Sequence, residues 1–392
     1  MLQAALGFNG ATAFAPVGGK MGPLNPPGFI ATAYHPRSIR LSLAAVFYQY
    51  SEYSEGLAFT TSRYNLMTPS GSTKSCAAGQ ANATAQSAPC PAIFTQHPEW
   101  FACLNDSAPY PDPVDVGNHI VTSKTAWPCP VTETFAHWTS QPCWGNASFI
   151  ATMIGTMRGL IKQAPGVRMV SVSGLDGTAS YLQCPPDTKY YIEANSTGGA
   201  NFFAANQIAT ALAPDFPAVG IMIDAYELTQ FPPKAGYRFH PSVIVRVCLG
   251  SFPRTLSAEL PLTDPRNALW PQRLDAWTAA ASRVYVWMYT QHGGLSPFPN
   301  YFLVAENIAY LHTKGIKGFY IESVCCQPRE EMVELKVYLW GRMMMEPTLN
   351  ITEVTQEFLA GYYSAVAGEI RSPTSPTLQL AINRCANLEV SC

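Results

Sequence analysis

The chain has 392 residues, which is enough for one large domain or two of ordinary size. It carries 24 Lys and Arg against 26 Asp and Glu, for a net charge of -2, and neither half has a strong basic run. Because phosphate binding needs clustered Lys and Arg, this balance argues against a nucleic-acid partner. Charged residues make up 13% and aromatic residues 12%, which suits neutral polar ligands and equally a large core.

Composition divides the chain into three segments. Residues 1–28 are rich in Gly, Pro and Ala and predict an irregular start, residues 29–368 hold the predicted domain, and residues 369–392 form a C-terminal tail. Within the domain, the polar stretches 66–95 and 104–145 predict long loops. No apolar run reaches the ~18 residues that a membrane span needs. The first residues also lack the charged and apolar regions of a signal peptide.

From about residue 146 the pattern becomes regular. Apolar residues at helical intervals predict helices at residues 147–163, 201–213, 274–282, 302–314, 330–345 and 352–367. Short apolar runs rich in β-branched residues predict strands at residues 167–172, 219–223, 242–248, 283–287 and 318–321. Pro165-Gly166 ends the first of these helices, and Gly315 ends the fourth.

Strands that alternate with helices predict βαβ units and a parallel sheet covered on both faces. Such units fit a (β/α)8 TIM-type barrel or a doubly wound sheet. No Gly-rich phosphate loop follows any predicted strand, which argues against a nucleotide-binding doubly wound sheet. We therefore predict an α/β fold of the (β/α)8 barrel type. Its N-terminal half is expected to be incomplete or irregular, because strands are hard to find before residue 95.

Cysteines and glycosylation sequons bear on the compartment. The chain has 11 Cys, most of them in polar, Pro-rich segments, which favours disulfides in an oxidising environment. The odd number leaves at least one thiol free or paired outside the chain. Asn-X-Ser/Thr sequons occur at Asn82, Asn105, Asn146, Asn195 and Asn350. Together these features predict a secreted, extracellular or cell-wall protein. Since no signal peptide is evident, either the true start lies upstream or the protein is not exported.

Candidate catalytic carboxylates follow the predicted strands. In a parallel barrel, chemistry occurs just beyond the carboxyl ends of the strands. Those ends are followed by Asp176, Asp224, Glu227 and Glu322. Glycoside hydrolysis needs two carboxylates on either side of the scissile bond, and we predict Asp176 and Glu322 as that pair. Glu322 follows an apolar strand directly, so partial desolvation would raise its pKa and suit it to proton donation.

Each carboxylate also has a plainer interpretation. Asp176 belongs to an Asp-Gly pair of the kind that forms ordinary turns. Asp224 could cap the loop after its strand, and Glu227 lies about one loop residue too far from its strand end. Glu322 could form an ion pair with Arg329.

Aromatic side chains accompany these carboxylates. Tyr226 follows the second predicted strand, and Trp287 and Tyr289 alternate along the fourth. We predict these three residues and Asp224 as substrate contacts. An aromatic ring can stack on the apolar C–H face of a sugar, and packing in the core is the alternative. No Cys and His pattern typical of zinc occurs, and the sequence implies no metal and no organic cofactor.

Several short phrases, in order along the chain, are similar to one protein family. They are residues 97–102 (HPEWFA), residues 170–177 (VSVSGLDG), Tyr226 with Thr229 and residues 232–233, residues 284–287 (VYVW) with Tyr289, residues 297–300 (PFPN), residues 315–322, and the late helix through Tyr362-Tyr363. Over residues 95–368 the chain thereby resembles an uncharacterised domain-of-unknown-function family, related to α-glucuronidases in the glycoside-hydrolase barrel superfamily. The resemblance implies a barrel and a carbohydrate-active site.

The resemblance also implies positions for the site. It puts near the site Asp176, Trp287, Tyr289, Asn300 and Glu322. It further implies that His97 and Glu99 form a loop over the site. The family usually has an acidic residue at the position of Met288, so one carboxylate of the pattern is missing from this chain.

These observations lead us to predict a carbohydrate-active protein, an O-glycosyl hydrolase acting on a polysaccharide or glycan. A uronic acid unit in the substrate is what the resemblance suggests. Two alternatives stay open: a non-catalytic carbohydrate-binding or cell-wall protein on a degenerate barrel, and a structural protein held by disulfides. The expected partner is a carbohydrate, and the sequence does not give the oligomeric state.

Overall fold

The computed structural model describes residues 97–100, 142–163, 169–172, 184–250, 255–290, 299–322, 332–364 and 367. Helices and strands alternate through most of these ranges. The helices are α1 (Ala147–Gln163), α2 (Thr188–Ala194), α3 (Gly199–Leu212), α4 (Leu269–Ala280), α5 (Tyr301–Thr313), α6 (Val333–Met345) and α7 (Ile351–Tyr363). The strands are β1 (Met169–Ser171), β2 (Gly220–Ala225), β3 (Val243–Leu249), β4 (Val284–Tyr289) and β5 (Gly318–Glu322).

Helix α1 illustrates how the sequence specifies an element. Phe149, Met153, Met157 and Ile161 recur every fourth residue and are all buried. This spacing places the four side chains along one face of a helix. Asn146 precedes the helix, and its Oδ1 accepts hydrogen bonds from the backbone N–H groups at 148 and 149. The first turn, whose N–H groups have no partner within the helix, is thereby capped.

The sheet has the order β1-β2-β3-β4-β5. β1 pairs with β2, and β2 with β3, in parallel. All seven side chains of β3 are buried, as expected for a central strand of a parallel sheet covered on both faces.

The predicted (β/α)8 barrel is wrong. The described residues form a parallel sheet of 5 strands, in the order β1 to β5, accompanied by 7 helices. Closure into a ring needs further strands that join the two outer strands, β1 and β5, and the described part of the chain supplies none. The alternation of strand and helix predicted the parallel pairing correctly. It does not report how many strands there are or whether the edges meet.

The described residues divide into two compact units. Unit 1 takes in Phe252–Gln272 and Val286–Cys392, and unit 2 takes in Tyr48–Ser251 and Arg273–Tyr285, each within the described ranges. In unit 1, α6 packs against both α5 and α7. In unit 2, α3 packs against α1, α2 and β2.

Candidate functional site

The carboxyl ends of the strands are where polar side chains leave the sheet. The last residues of the strands are Ser171, Ala225, Leu249, Tyr289 and Glu322. Ligands of parallel α/β sheets bind outside these ends. The candidate residues of unit 2 lie around the ends of β1 to β3, and those of unit 1 around the ends of β4 and β5.

In unit 2, Asp224 is held by an arginine of the neighbouring strand. The register of β2 and β3 places Asp224 opposite Arg246. Arg246 Nε donates to Asp224 Oδ1 and Nη2 donates to Oδ2, each at 2.6 Å. The side chain of Asp224 is 15% exposed and that of Arg246 is 4% exposed. A bidentate pair that is this buried uses both carboxylate oxygens of Asp224. Its geometry therefore favours a structural role over the substrate contact predicted from the sequence.

The loop after β2 is a tight, fixed turn. Thr229 Oγ1 accepts from the Tyr226 N–H at 3.0 Å and lies 2.7 Å from Asp224 O, to which it donates. Glu227 has a φ of 51°, in the left-handed region. A non-glycine residue keeps that conformation only where its surroundings fix it. Tyr226, a predicted substrate contact, and Glu227 are both half-buried beyond the strand end.

The predicted loop of His97 and Glu99 docks on the first turn of α1. His97 Nδ1 lies 3.0 Å from Glu99 Oε1, and the His97 ring stacks on Trp100 with centroids 4.0 Å apart. Trp100 is buried, and its Nε1 donates to Ser148 Oγ at 2.7 Å. Asn146 Nδ2 donates to Glu99 O at 3.2 Å. His97 and Glu99 remain 39% and 34% exposed at the side chain.

A buried asparagine links the start of α3 to the carboxyl end of β1. Asn201, in the first turn of α3, donates from Nδ2 to Val172 O, immediately after β1, at 2.9 Å. The start of α3 thus lies at the carboxyl end of β1. Residues 164–168, which lie outside the described ranges, separate the end of α1 from β1. The predicted position of His97 and Glu99 in a loop over the site stays a prediction.

A disulfide and a buried carboxyl fix the segments that precede α1 and α2. Cys143 and Cys184 are bonded and almost fully buried. Asp187 accepts from the Gly145 N–H at 2.6 Å and from Tyr191 Oη at 3.2 Å. Burial raises the pKa of the Asp187 carboxyl from 3.8 to about 7, although hydrogen bonds from backbone and tyrosine donors oppose the shift.

In unit 1, Trp287 and Tyr289 form an aromatic pair on one side of β4. Their ring centroids are 5.6 Å apart with an interplanar angle of 35°. Both are half-buried, whereas Val286 and Met288, which alternate with them, are buried. Successive side chains of a strand point to opposite faces. The aromatic pair therefore lies on the more open face of β4.

The same alternation explains Met288. Its side chain is 0% exposed and points to the face opposite Trp287 and Tyr289. A carboxylate at this position would lie in the buried face of β4. The face of β4 that carries the aromatic pair therefore loses no carboxylate through the presence of methionine at 288.

Asn300 connects the end of β4 to a second loop of unit 1. Its Nδ2 donates to Thr290 O at 2.8 Å and to Ala258 O at 3.2 Å. The side chain is buried, and its Oδ1 has no partner among the described residues. Two carbonyl acceptors fix the orientation of the amide. Asn300 thus fixes the backbone next to the aromatic pair.

The predicted catalytic pair is only partly described. Glu322 is the last residue of β5, the strand that neighbours β4 in the sheet. The structure describes its backbone and not its side chain. Asp176 lies outside the described residues. The separation of their carboxyl groups thus stays a prediction.

Residues 39–373 match the model of a family described as a domain of unknown function, DUF4838. The chain belongs to this DUF4838 family. The membership of a domain-of-unknown-function family, predicted from short phrases in order along the chain, is therefore confirmed. No curated protein and no solved structure matches the DUF4838 chain.

Two further properties of this DUF4838 chain concern its described ranges alone. None of the helices in those ranges is long and apolar enough to cross a membrane. The same ranges contain no group of three or more His, Cys, Asp or Glu side chains that could hold a metal ion.

The sequence did not single out Arg246, Asn201 or Asp187. A signal existed for Arg246, because one arginine inside an otherwise apolar strand needs a buried partner. Asp224 is the acidic residue of the preceding strand, β2. The hydrogen bond of Asn201 with Val172 spans 29 residues and that of Asp187 with Gly145 spans 42, so no local pattern predicts either contact.

Proposed function

We propose that this DUF4838 chain is a carbohydrate-active protein, an O-glycosyl hydrolase acting on a polysaccharide or glycan. The observation that carries the proposal is the half-exposed pair Trp287 and Tyr289 on β4. The neighbouring strand, β5, ends in Glu322. An aromatic platform beside a strand that ends in a carboxylate supports this proposal, because a sugar site combines a stacking surface with carboxyl groups.

The platform supplies binding. A sugar ring has an apolar C–H face, which gains dispersion and desolvation energy on an aromatic ring. The two rings are tilted by 35° and offset by 5.6 Å, so together they present a wider surface than one ring alone. Asn300 fixes the main chain at Thr290, one residue beyond Tyr289.

The proposed chemistry assigns a role to each of two carboxyl groups. Glu322 protonates the oxygen of the leaving sugar, and Asp176 either activates a water molecule or attacks the anomeric carbon. As the general acid, Glu322 would carry this proton before the reaction. A separation of ~5–5.5 Å between the carboxyl groups would imply retention of configuration, and ~6.5–9.5 Å would imply inversion.

The resemblance to relatives of α-glucuronidases extends the proposal to substrates that contain a uronic acid. A secreted, extracellular or cell-wall location belongs to the same proposal. It is supported by the buried disulfide between Cys143 and Cys184 and by the sequons, because disulfides persist in oxidising compartments.

The test is hydrolysis of a panel of aryl glycosides and aryl uronides by the full chain. Glu322→Gln and Asp176→Asn should each lower kcat by roughly 10²–10⁴-fold, the contribution typical of a general acid or base. Glu306→Gln is the matched control, since Glu306 is an exposed carboxylate on α5. Activity of Glu322→Gln equal to that of wild type would rule out the role given to Glu322.

One observation favours a second candidate, a non-catalytic carbohydrate-binding protein. Asp224 is fully engaged by Arg246, so it is not a ready substitute if Asp176 does not reach the site. On a glycan array, this candidate predicts binding that is lost in a Trp287→Ala and Tyr289→Ala double variant. It also predicts no turnover of the bound sugars, whereas turnover would exclude it.

A further inference from the structure

Three of the sequons lie in described parts of the chain, each next to a helix end. They are Asn146 before α1, Asn195 after α2 and Asn350 before α7. N-linked modification joins a large, hydrated glycan to the side-chain amide nitrogen. The folded protein can carry it only where that nitrogen faces solvent. The three asparagines differ in this respect.

Asn195 is the one of the three whose side chain is least engaged in the fold. It is exposed and adopts the left-handed conformation, with a φ of 50°, at the end of α2. Its backbone N–H closes the helix by donating to the carbonyl of Ile192. Among the described residues its side chain makes no hydrogen bond, so a glycan on Nδ2 displaces no contact there.

Asn350 is exposed, and its amide oxygen makes the stronger hydrogen bonds. Its Oδ1 caps α7 by accepting from the backbone N–H groups of Thr352, at 2.9 Å, and Glu353, at 3.3 Å. Its Nδ2 is at the long distance of 3.5 Å from Glu353 Oε1. Modification of the nitrogen retains the carbonyl oxygen, so the helix cap survives.

Asn146 is different, because both ends of its amide are used inside the fold. Oδ1 accepts from the backbone N–H groups of Ser148 and Phe149, at 3.0 and 3.1 Å. Nδ2 donates to Glu99 O at 3.2 Å and points toward the segment that carries the buried Trp100. A glycan on this nitrogen would separate that segment from the start of α1.

We propose that Asn195 and Asn350 carry N-linked glycans in the exported protein and that Asn146 does not. The inference goes beyond the proposed activity and rests on the proposed secretory route. In the transfer, the anomeric carbon of a lipid-diphosphate-linked oligosaccharide forms a bond to Nδ2. Its bond to the diphosphate breaks, the lipid diphosphate leaves, and Nδ2 releases one proton.

The experiment is peptide mapping of the full chain secreted from a eukaryotic cell. Enzymatic deglycosylation in ¹⁸O-water marks each asparagine that carried a glycan as a labelled aspartate. We expect the label at residues 195 and 350 in most molecules and none at residue 146. The variants Asn195→Asp and Asn350→Asp should each remove the mass of one glycan from the intact protein. Asp tolerates the left-handed conformation at 195 and caps the helix at 350.

Asn146→Asp is the matched control and should leave the mass of the intact glycoprotein unchanged. Label at residue 146 in folded, secreted protein would overturn the proposal. So would the absence of label at residue 195 or at residue 350. Glycosidase activity is measured separately on the same preparations. Failure of the proposed activity is therefore distinguishable from failure of the glycan assignment.

Discussion

Asp187 places a titratable carboxyl between the disulfide and α2. Burial raises its pKa from 3.8 to about 7. Between these two values the folded protein holds a proton on Asp187 that the unfolded chain has released. The free energy of unfolding contributed by this group is therefore largest below about pH 4 and falls as the pH rises toward 7, by up to about 1.4 kcal/mol per pH unit.

Asp187→Asn tests this sign. An amide keeps an oxygen acceptor for the Gly145 N–H and cannot ionise, so the variant should lose the fall in stability between about pH 4 and 7. The measurement is urea unfolding at a series of pH values. Asp215→Asn is the control, because Asp215 pairs with Arg158 while its side chain is 50% exposed. A variant at 187 whose pH dependence matches that of wild type would show that Asp187 is ionised throughout.

At the scale of single residues, the sequence predicted which polar residues lie at strand ends, but it did not predict which side chains they bind. Tyr226 and Tyr289 do lie at or just beyond strand ends, because the end of an apolar run is a local feature. Asp224 lies at such an end as well, but its pairing with Arg246 depends on the register of β2 and β3. Register is set by packing across the whole sheet and cannot be determined from one strand.

At the scale of elements, most helices and strands were predicted within a few residues. The predicted helix at 147–163 coincides with α1, because its apolar spacing and its cap agree. The seven-residue α2 was missed, since it is too short to show a helical period. Helix α4 begins at Leu269, not at 274. Pro271 is tolerated there because the first turn needs no N–H donors.

Gly315 ends α5 and gives a prediction on helix termination. It has a φ of 80°, and a Cβ at this position would contact nothing within 4 Å. Gly315→Ala should therefore lower the free energy of unfolding by about 1–2 kcal/mol through backbone strain alone. Gly155→Ala is the matched control, since Gly155 lies exposed inside α1 and a Cβ there also meets nothing.

The control should change stability in the opposite direction. Alanine is the better helix former, so Gly155→Ala should stabilise the protein by roughly 0.5–1 kcal/mol. Chemical denaturation of both variants beside wild type makes the comparison. If both substitutions shift stability in the same direction, the effect of Gly315→Ala does not come from backbone strain in the left-handed conformation.

At the scale of the whole molecule, the sequence predicted a parallel α/β sheet but not its extent. Apolar strands and intervening helices report how neighbouring strands pair, which is a local property of each βαβ unit. Closure depends on strand number, tilt and stagger together. The described strands make a sheet of 5 strands, and no periodicity within β1 to β5 shows whether such a sheet closes.

The disulfide links segments 41 residues apart. In the chain-entropy model, closing a loop of this length stabilises the folded state by about 4 kcal/mol. A Cys143→Ala and Cys184→Ala double variant should lose about that amount, measured by urea unfolding. Reducing agent should weaken wild type and leave the double variant almost unchanged. If the reductant destabilises both proteins equally, the stability that it removes does not come from the disulfide between Cys143 and Cys184.

Gly145 sits where three groups converge. An added Cβ would lie 2.7 Å from Pro186 O, 2.8 Å from Asp187 Oδ1 and 2.8 Å from Tyr190 Cε2. Two of these neighbours, Pro186 O and Asp187 Oδ1, belong to the Pro-Pro-Asp turn, so the site has no space for even a methyl group. Evolution could then enlarge this position only after the Pro-Pro-Asp turn had changed. Glycine at 145 and aspartate at 187 should accordingly be inherited together or lost together.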